Sequence, residues 1–422
     1  MTDRRVTPSR RGFLRLGAGA AAATGLAGCT TLADPASSDF ARAAATQFRG
    51  GLRRRGFHTD ATVPDDVEVA WSHPVNTGDH TAAKASFVRV PAAEVRSATG
   101  NESASDRLVV PGDDGTLRAF TPDGELVWAA AIEHATRGIH GTPAVAEGLV
   151  YIGGYDGALY AFDLGSGERV WRRKLGDAIG SSPAYHEGDV YIAVEYYTPS
   201  GGVFGVDADT GGGKWGDRRV TDHPHSTIAI DRDVGRLVVG SNDGYLYAWS
   251  YPEREFQWRF ETGDAIKGPV AAYDGAAFFG SWDRNVYRVD LADGTEEWAF
   301  ETNGMVMSGP AIDVGRGVCF IGSHDGNLYA LDAGSGAELW RYSTGGRIVG
   351  CPATTVDRVV VGSKDRSVYA LDTSDGTEVW ELELDGWVTS APLLTEDGIY
   401  VTERAPEGAD GPPGHAYALR PP

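Results

Sequence analysis

Seven tryptophans, Trp128, Trp171, Trp215, Trp258, Trp298, Trp340 and Trp380, follow one another at intervals of 43, 44, 43, 40, 42 and 40 residues. A period of this length, kept over most of a 422-residue chain, is the mark of a propeller or a solenoid and outweighs any division of the length into unrelated domains. Inside each period the pattern is that of strands. "LVYIGGYDGALYAFD" alternates apolar with small or polar residues on both sides of an Asp-Gly pair, which predicts a hairpin, and the same hairpin recurs in "LVVGSNDGYLYAW", "VCFIGSHDGNLYALD" and "VVVGSKDRSVYALD". After Thr59 no segment carries a convincing amphipathic helix period.

A hairpin, a preceding strand such as "GTPAVAEG" and a following strand at the Trp make four short strands per repeat, which predicts radial β-propeller blades. The two ends decide the count. The last repeat runs from "VTSAPLLTEDGIYVTE" to "GHAYALRPP" without reaching a Trp, whereas "DVEVAWSHPV" supplies Trp71 with no hairpin before it. Joined, the fragments complete one blade. The expectation is an all-β, eight-bladed propeller of four-stranded antiparallel blades over residues 67–422, closed by an N-terminal strand; the count falls to seven if 72–105 holds no innermost strand.

The repeated peptide reads A-x-D-x-x-x-G-x-x-x-W from Ala161, Ala330 and Ala370, with Gly205 or Arg288 in place of Ala in two further copies. It resembles the tryptophan-docking motif of the pyrroloquinoline quinone (PQQ) repeat family, and with its diverged copies it covers nearly all of the chain from Val67. Asp and Gly shape the turn between the third and fourth strands, and the indole packs between neighbouring blades. Trp71 and the seven later tryptophans are therefore structural docking residues. Two copies diverge: the one ending at Trp128 is a residue short, and "AWSYPEREFQW", ending at Trp258, lacks both Asp and Gly, so looser corners are expected there.

The N-terminus reads "SRRGFLRLGAGAAAATGLAGC". The twin arginines Arg10 and Arg11, a weakly apolar run and then Leu26, Ala27, Gly28 and Cys29 are similar to a Tat export signal ending in a lipobox. The expected organisation is a signal peptide at 1–28, a lipid-anchored flexible tether at 29–66 and the propeller beyond. Cys29 would then carry the lipid and hold the protein at the outer face of the cell membrane. Within the tether, residues 41–57 are locally basic, which suits either an anionic lipid surface or a solvated linker. Cys319 and Cys351, one in each of two adjacent repeats, are expected to be buried thiols.

The formal net charge is −21, and because residues 1–28 carry five Arg against one Asp, the remainder stands at −25. Such a polyanion is not expected to bind nucleic acid. With five Lys against 33 Arg, its acidic, Lys-poor surface resembles that of proteins from salt-loving archaea. A monomer is expected.

Within the PQQ-repeat family, the resemblance to its dehydrogenases implies a quinone over the axis, a vicinal Cys-Cys disulfide, and a calcium ion held by Glu, Asn and Asp. This sequence has no adjacent cysteines and no C-x-x-C-H haem site, and Asp207, Asp290, Asp332 and Asp372 are taken by the corner motif. The resemblance in anchor, length and repeat number is to the family's nonenzymatic, lipid-anchored propellers, scaffolds of the β-barrel assembly machinery. The expected function is thus binding or scaffolding, with a funnel and loop rim presented to a protein partner or small ligand. No cofactor is expected; PQQ and calcium enter only on the alternative reading, a quinoprotein dehydrogenase with an atypical site.

Loops entering the innermost strands come nearest the axis, and aligning them on a shared Pro gives "TRGIHGTP", "GDAIGSSP", "NGMVMSGP", "GGRIVGCP" and "DGWVTSAP", with "TDHPHSTI" and "GDAIKGP" as variants. One column is apolar; the flanking columns vary and hold the candidate ligand-binding residues His140, His223, His225, Lys267, Met305, Met307, Arg347 and Trp387. Their cationic and aromatic character suits an anionic or planar ligand. His223 and His225 alone are too few for a metal, and none is expected.

Overall fold

Each hairpin predicted around an Asp-Gly or Asp-Arg pair forms. In the computed structural model, which describes residues 46–76, 85–133, 137–405 and 413–422, the turn Asp accepts the backbone N–H two residues on and the hydroxyl of a Tyr four residues on. The pairs Tyr247–Asp243, Tyr287–Asp283 and Tyr329–Asp325 all close at 2.7 Å. One such hairpin, flanked by an inner and an outer strand, makes a four-stranded antiparallel blade. Blades 1 to 7 span residues 88–131, 144–174, 184–220, 229–261, 271–301, 311–343 and 353–383. Blade 8 is built from both ends of the chain: residues 387–420 supply its inner strands, and Glu68–Asn76 pairs antiparallel with Gly414–Arg420 as its outer strand. The ring therefore has eight blades, closed without a covalent link. The region 72–105 does contain an innermost strand, Val88–Val90, followed by the short helix Ala92–Thr99, which had no periodic signal strong enough to predict it.

The docking tryptophans act as bolts between blades. The indole N–H donates to a corner carbonyl of the next blade in the pairs Trp71–Pro122, Trp128–Leu164, Trp171–Ala208, Trp258–Leu291, Trp298–Ala333 and Trp340–Thr373, at 2.8 to 3.2 Å. Trp380 closes the ring by donating to Pro64 at 2.8 Å. Beneath Trp128 lies Gly167, with φ 73° and so little room that a Cβ would sit 2.8 Å from the indole; the motif glycine thus serves the turn and the ring at once. Trp215 differs. It meets Trp249 edge-on at 6.0 Å, and the corresponding corner of blade 4 has Arg254 at φ 65° where the other copies have Gly.

Ring closure leaves every innermost strand with an unpaired edge facing the axis, where buried N–H and C=O groups cost about 1 to 3 kcal/mol each if unmet. Part of this edge is tied blade to blade. Ser86 N–H donates to Thr142 Oγ1, Thr142 N–H to Ser182 Oγ, Gly309 N–H to Cys351 Sγ and Ala391 N–H to Ser86 Oγ. In blades 2 to 7 the edge is also met by residues 46–58, "TQFRGGLRRRGFH", which run along the axis inside the ring. The N–H groups of Val145, Ile230, Ala272, Ile312 and Thr354, one per blade at the same position of the inner strand, donate to the carbonyls of Thr46, Leu52, Arg53, Arg55 and Gly56. Gln47 makes a two-way side-chain bond with the backbone of Tyr185 in blade 3.

Two arginines of this plug point into the channel. Arg54, 0% exposed, donates to the carbonyls of Ile228, Phe48 and Pro183 at 2.9 to 3.0 Å. Arg49 reaches those of Arg54, Pro352 and Pro310. Residues 46–66 are accordingly not the flexible tether expected for 29–66, and Arg49, Arg54 and Arg55 are not available to a lipid surface. They are buried because an axis lined with carbonyl oxygens is a good solvent for guanidinium. Burial beside Arg49 pulls the Arg54 pKa down to about 9. The signal region, with Arg10, Arg11 and Cys29, lies outside the described residues. Among the described residues no helix is long and apolar enough to cross a membrane. Cys319 and Cys351 are free, buried thiols, and burial pushes Cys319 up to about 12.

Candidate functional site

The loops that enter the inner strands and the hairpin turns share one face of the ring. The plug's backbone contacts lie toward the opposite ends of the inner strands. On the loop face one residue of each blade occupies an equivalent place. The main-chain N–H groups of Tyr155, Glu195, Asn242, Trp282, His324 and Lys364 donate to the carbonyls of Gly138, Ala178, His223, Ala265, Met305 and Arg347, and Arg404 pairs with Trp387. Asp113, whose N–H meets Asn76 Oδ1, completes the ring of eight. All are polar or aromatic and buried or half-buried. Asn242 Oδ1, Trp282 Nε1 and His324 Nε2 are shielded from solvent with no hydrogen-bond partner among the described residues. Such atoms on the wall of a funnel are what a ligand's polar groups engage.

The predicted loop residues interleave with this ring. His140 is buried and packs on Tyr155, ring centroids 4.0 Å apart. Lys267 lies 3.7 Å over the Trp282 ring, and Trp387 is covered in the same way by Lys364 at 3.7 Å. Met307 is half-buried, whereas Met305, 43% exposed, and Arg347 stand on the outer rim. Charge is divided around the mouth. Lys267, Arg347, Lys364 and Arg404 fall in blades 5 to 8 or the loops entering them, a cationic arc within a chain of net charge −21. Burial, with Arg347 and Lys364 nearby, lowers the His324 pKa to about 4, so its imidazole is neutral.

Glu195 gathers the opposite side. His225 Nδ1 lies 3.2 Å from Glu195 Oε1, and His223 Nε2 meets the Tyr196 carbonyl at 2.8 Å. Gly180 makes the convergence possible: a Cβ there would lie 2.9 Å from Glu195 Oε1, 3.0 Å from His225 Nδ1 and 3.2 Å from Tyr155 Oη. Burial, then Glu195, pushes the Tyr155 hydroxyl far above its ordinary range. Four predicted residues, His140, His223, His225 and Lys267, thus fall in neighbouring blades around a carboxylate that sequence reasoning missed. Glu195 opens the stretch "EYYTPSGG" that breaks the hairpin repeat, which was the available signal. Six of the eight ring positions were legible as the variable residue just before the Asp-Gly or Asp-Arg pair of a hairpin turn; Glu195 and Arg404 precede no such pair.

Fold and funnel define an eight-bladed β-propeller with a polar mouth. The family described as outer membrane protein assembly factor BamB matches residues 64–300, 199–348 and 324–418, and the chain belongs to that family. The outer membrane protein assembly factor BamB of Yersinia pestis is 27% identical over 195 residues, covering 44% of this chain and 48% of that protein. The chain thus spans about half the length of the curated relatives it matches. Among solved structures, quinohemoprotein alcohol dehydrogenase from Comamonas testosteroni superposes with a TM-score of 0.73 at 14% identity, covering 91% of this chain and 81% of that one. BamB from Moraxella catarrhalis gives 0.61 at 16%, covering 84% and 98%. At these identities the structural likeness is one of fold.

Proposed function

We propose that this protein is a nonenzymatic, extracytoplasmic binding propeller that offers its funnel and loop rim to a protein partner or a small ligand. On this reading it is exported by Tat and held by a lipid on Cys29. The observation that carries it is the ring from Asp113 to Arg404: eight equivalent positions, nearly all different in kind, on a frame whose other positions repeat. Repetition preserves shape, and variation on a fixed frame is where a grafted binding site resides. The plug occupies part of the channel and bonds the inner strands from within it.

The quinoprotein reading is tested by the donors present. Calcium takes oxygen ligands, whereas the groups gathered around Glu195 are imidazoles and a phenol. The two thiols stand in different blades, with no vicinal pair to lie above a quinone. These donors speak against a calcium–quinone group in this funnel.

The test is photo-crosslinking in intact cells from position 305, on the rim, and from position 339, exposed on the outer strand of blade 6. Discrete adducts from 305 alone are expected. Identical patterns from both would overturn the reading, and so would turnover of alcohols or sugars by the purified protein given PQQ and Ca²⁺. Retention of a Cys29→Ser chain in the membrane fraction would remove the lipid anchor.

A further inference from the structure

Of the chemistry-bearing clusters among the described residues, two bring together three side chains able to ligate a metal: Glu195, His223 and His225, and Asp385, Glu403 and His415. They differ in where they lie. In the second, Glu403 is fully buried and its oxygens accept from Gly386 N–H at 2.5 Å and from the Tyr417 hydroxyl at 2.9 Å, so that carboxylate serves the interior of blade 8. The first opens on the funnel.

We propose that Glu195, His223 and His225 form a binding site for a divalent transition-metal ion of the zinc class, with a coordination position left open to the funnel. One ligating atom from each lies within 4.8 Å of those of the other two. The 3.2 Å between His225 Nδ1 and Glu195 Oε1 is close to the separation of two ligands that share a tetrahedral ion at about 2.0 to 2.1 Å. His223 Nε2 donates to the Tyr196 carbonyl, which leaves Nδ1 as the nitrogen with a lone pair to offer; an outer hydrogen bond of this kind fixes the tautomer of a metal-bound imidazole. Two imidazoles and one carboxylate are the borderline donor set that zinc-class ions prefer, unlike the all-oxygen set of calcium or magnesium.

Placement supports the same reading. His223 and His225 bracket Pro224 in the loop entering blade 4, so both follow one rigid turn, while Glu195 comes from the hairpin of blade 3. The carboxylate is 6% exposed and the imidazoles 24% and 30%, a gradient from a sheltered anchor to an accessible mouth. Three protein ligands leave a fourth position free, and Gly180 keeps side-chain bulk away from it, with the Tyr155 hydroxyl the next donor at that point. An ion held there would let the funnel grip a ligand's carboxylate or phosphate directly, beside the cation of Lys267.

The experiment uses the full chain, purified without a histidine tag and stripped with chelator. It is titrated with Co²⁺, read by visible absorption, and with Zn²⁺, read by elemental analysis after dialysis and by the shift in Tm. Expected are one equivalent bound, visible Co²⁺ bands, and a fall in affinity of at least about tenfold in Glu195→Gln and in His225→Ala, with no change in His415→Ala. Absence of bands and of retained Zn²⁺ in the unsubstituted chain would overturn the site, as would binding that survives both substitutions or is lost only in His415→Ala. The Tm shift of the unsubstituted chain is read whether or not a variant folds. Failure here would leave the crosslinking result from position 305 untouched.

Discussion

Arg54 Nη2 lies 2.9 Å from the carbonyl oxygen of Pro183, a contact that joins the N-terminal plug to the residue leading into the innermost strand of blade 3 across 129 residues of chain. The same guanidinium meets Ile228, just before the inner strand of blade 4, and Phe48 of the plug, so one side chain satisfies three buried carbonyls, two of the ring and one of the plug itself. Replacing it leaves all three unmet in a dry interior. Arg54→Ala is expected to cost about 3 kcal/mol or more, seen as a lower urea midpoint, whereas Arg366→Ala, which breaks an exposed pair with Glu383, costs under about 1 kcal/mol. Equal losses would mean that the plug does not carry this load.

The double duty of the motif glycine can be separated by comparing two positions of nearly equal backbone geometry. Gly188 has φ 78° with no neighbour within 4 Å of a Cβ, and Gly167 has φ 73° with the Trp128 indole 2.8 Å away. Gly188→Ala therefore carries only the left-handed backbone penalty, about 1 to 2 kcal/mol. Gly167→Ala adds overpacking of about 1 to 3 kcal/mol and should shift the Trp128 emission as well. Matching losses in thermal unfolding would contradict the contact.

His58, buried at the end of the plug, is held neutral: burial, then the charge of Arg49, lowers its pKa from 6.5 to about 4. The unfolded chain takes up a proton as pH falls through 6.5, while the folded chain resists until about 4. The unfolded state thus binds more protons in that window, and the stability tied to neutral His58 is full above it and is lost as pH falls from 6.5 toward 4. A shift of this size corresponds to about 3 kcal/mol. In His58→Asn the decline between those pH values should be shallower by an amount of that order, measured as the difference between the two chains so that carboxylate contributions cancel. Parallel curves would refute the assignment.

How far these features were visible beforehand follows from what each depends on. The blades were legible because Trp, Asp and Gly recur at fixed spacing and each has a local mechanical reason; even closure by Trp71 and the C-terminal fragment followed from counting. The funnel loops were legible through their shared Pro. The plug was not. "TQFRGGLRRRGFH" has no period and reads as a basic linker, because the partner of Arg49 and Arg54 is a set of backbone carbonyls that exists only once the ring is closed, and main-chain acceptors leave no trace in residue identity. Glu195 was hidden for a related reason: its role comes from alignment across blades, and the longer hairpin of blade 3 puts it out of register with Tyr155 and Asn242.

Gly180 tests the convergence on which the metal site rests. A methyl group there meets the ends of three side chains, at 2.9 Å from Glu195 Oε1, 3.0 Å from His225 Nδ1 and 3.2 Å from Tyr155 Oη, and no backbone atom among its nearest neighbours. Side-chain ends yield by rotation where a backbone would not, so Gly180→Ala should alter stability by no more than about 1 kcal/mol. Those rotations separate the atoms that must share one ion, and Co²⁺ affinity should fall at least about tenfold while Tm shifts by only a few degrees. Unchanged affinity in a folded Gly180→Ala chain would show that the three groups do not meet at that point, and a collapse in Tm would show that the glycine serves the fold of blade 3 and not its mouth.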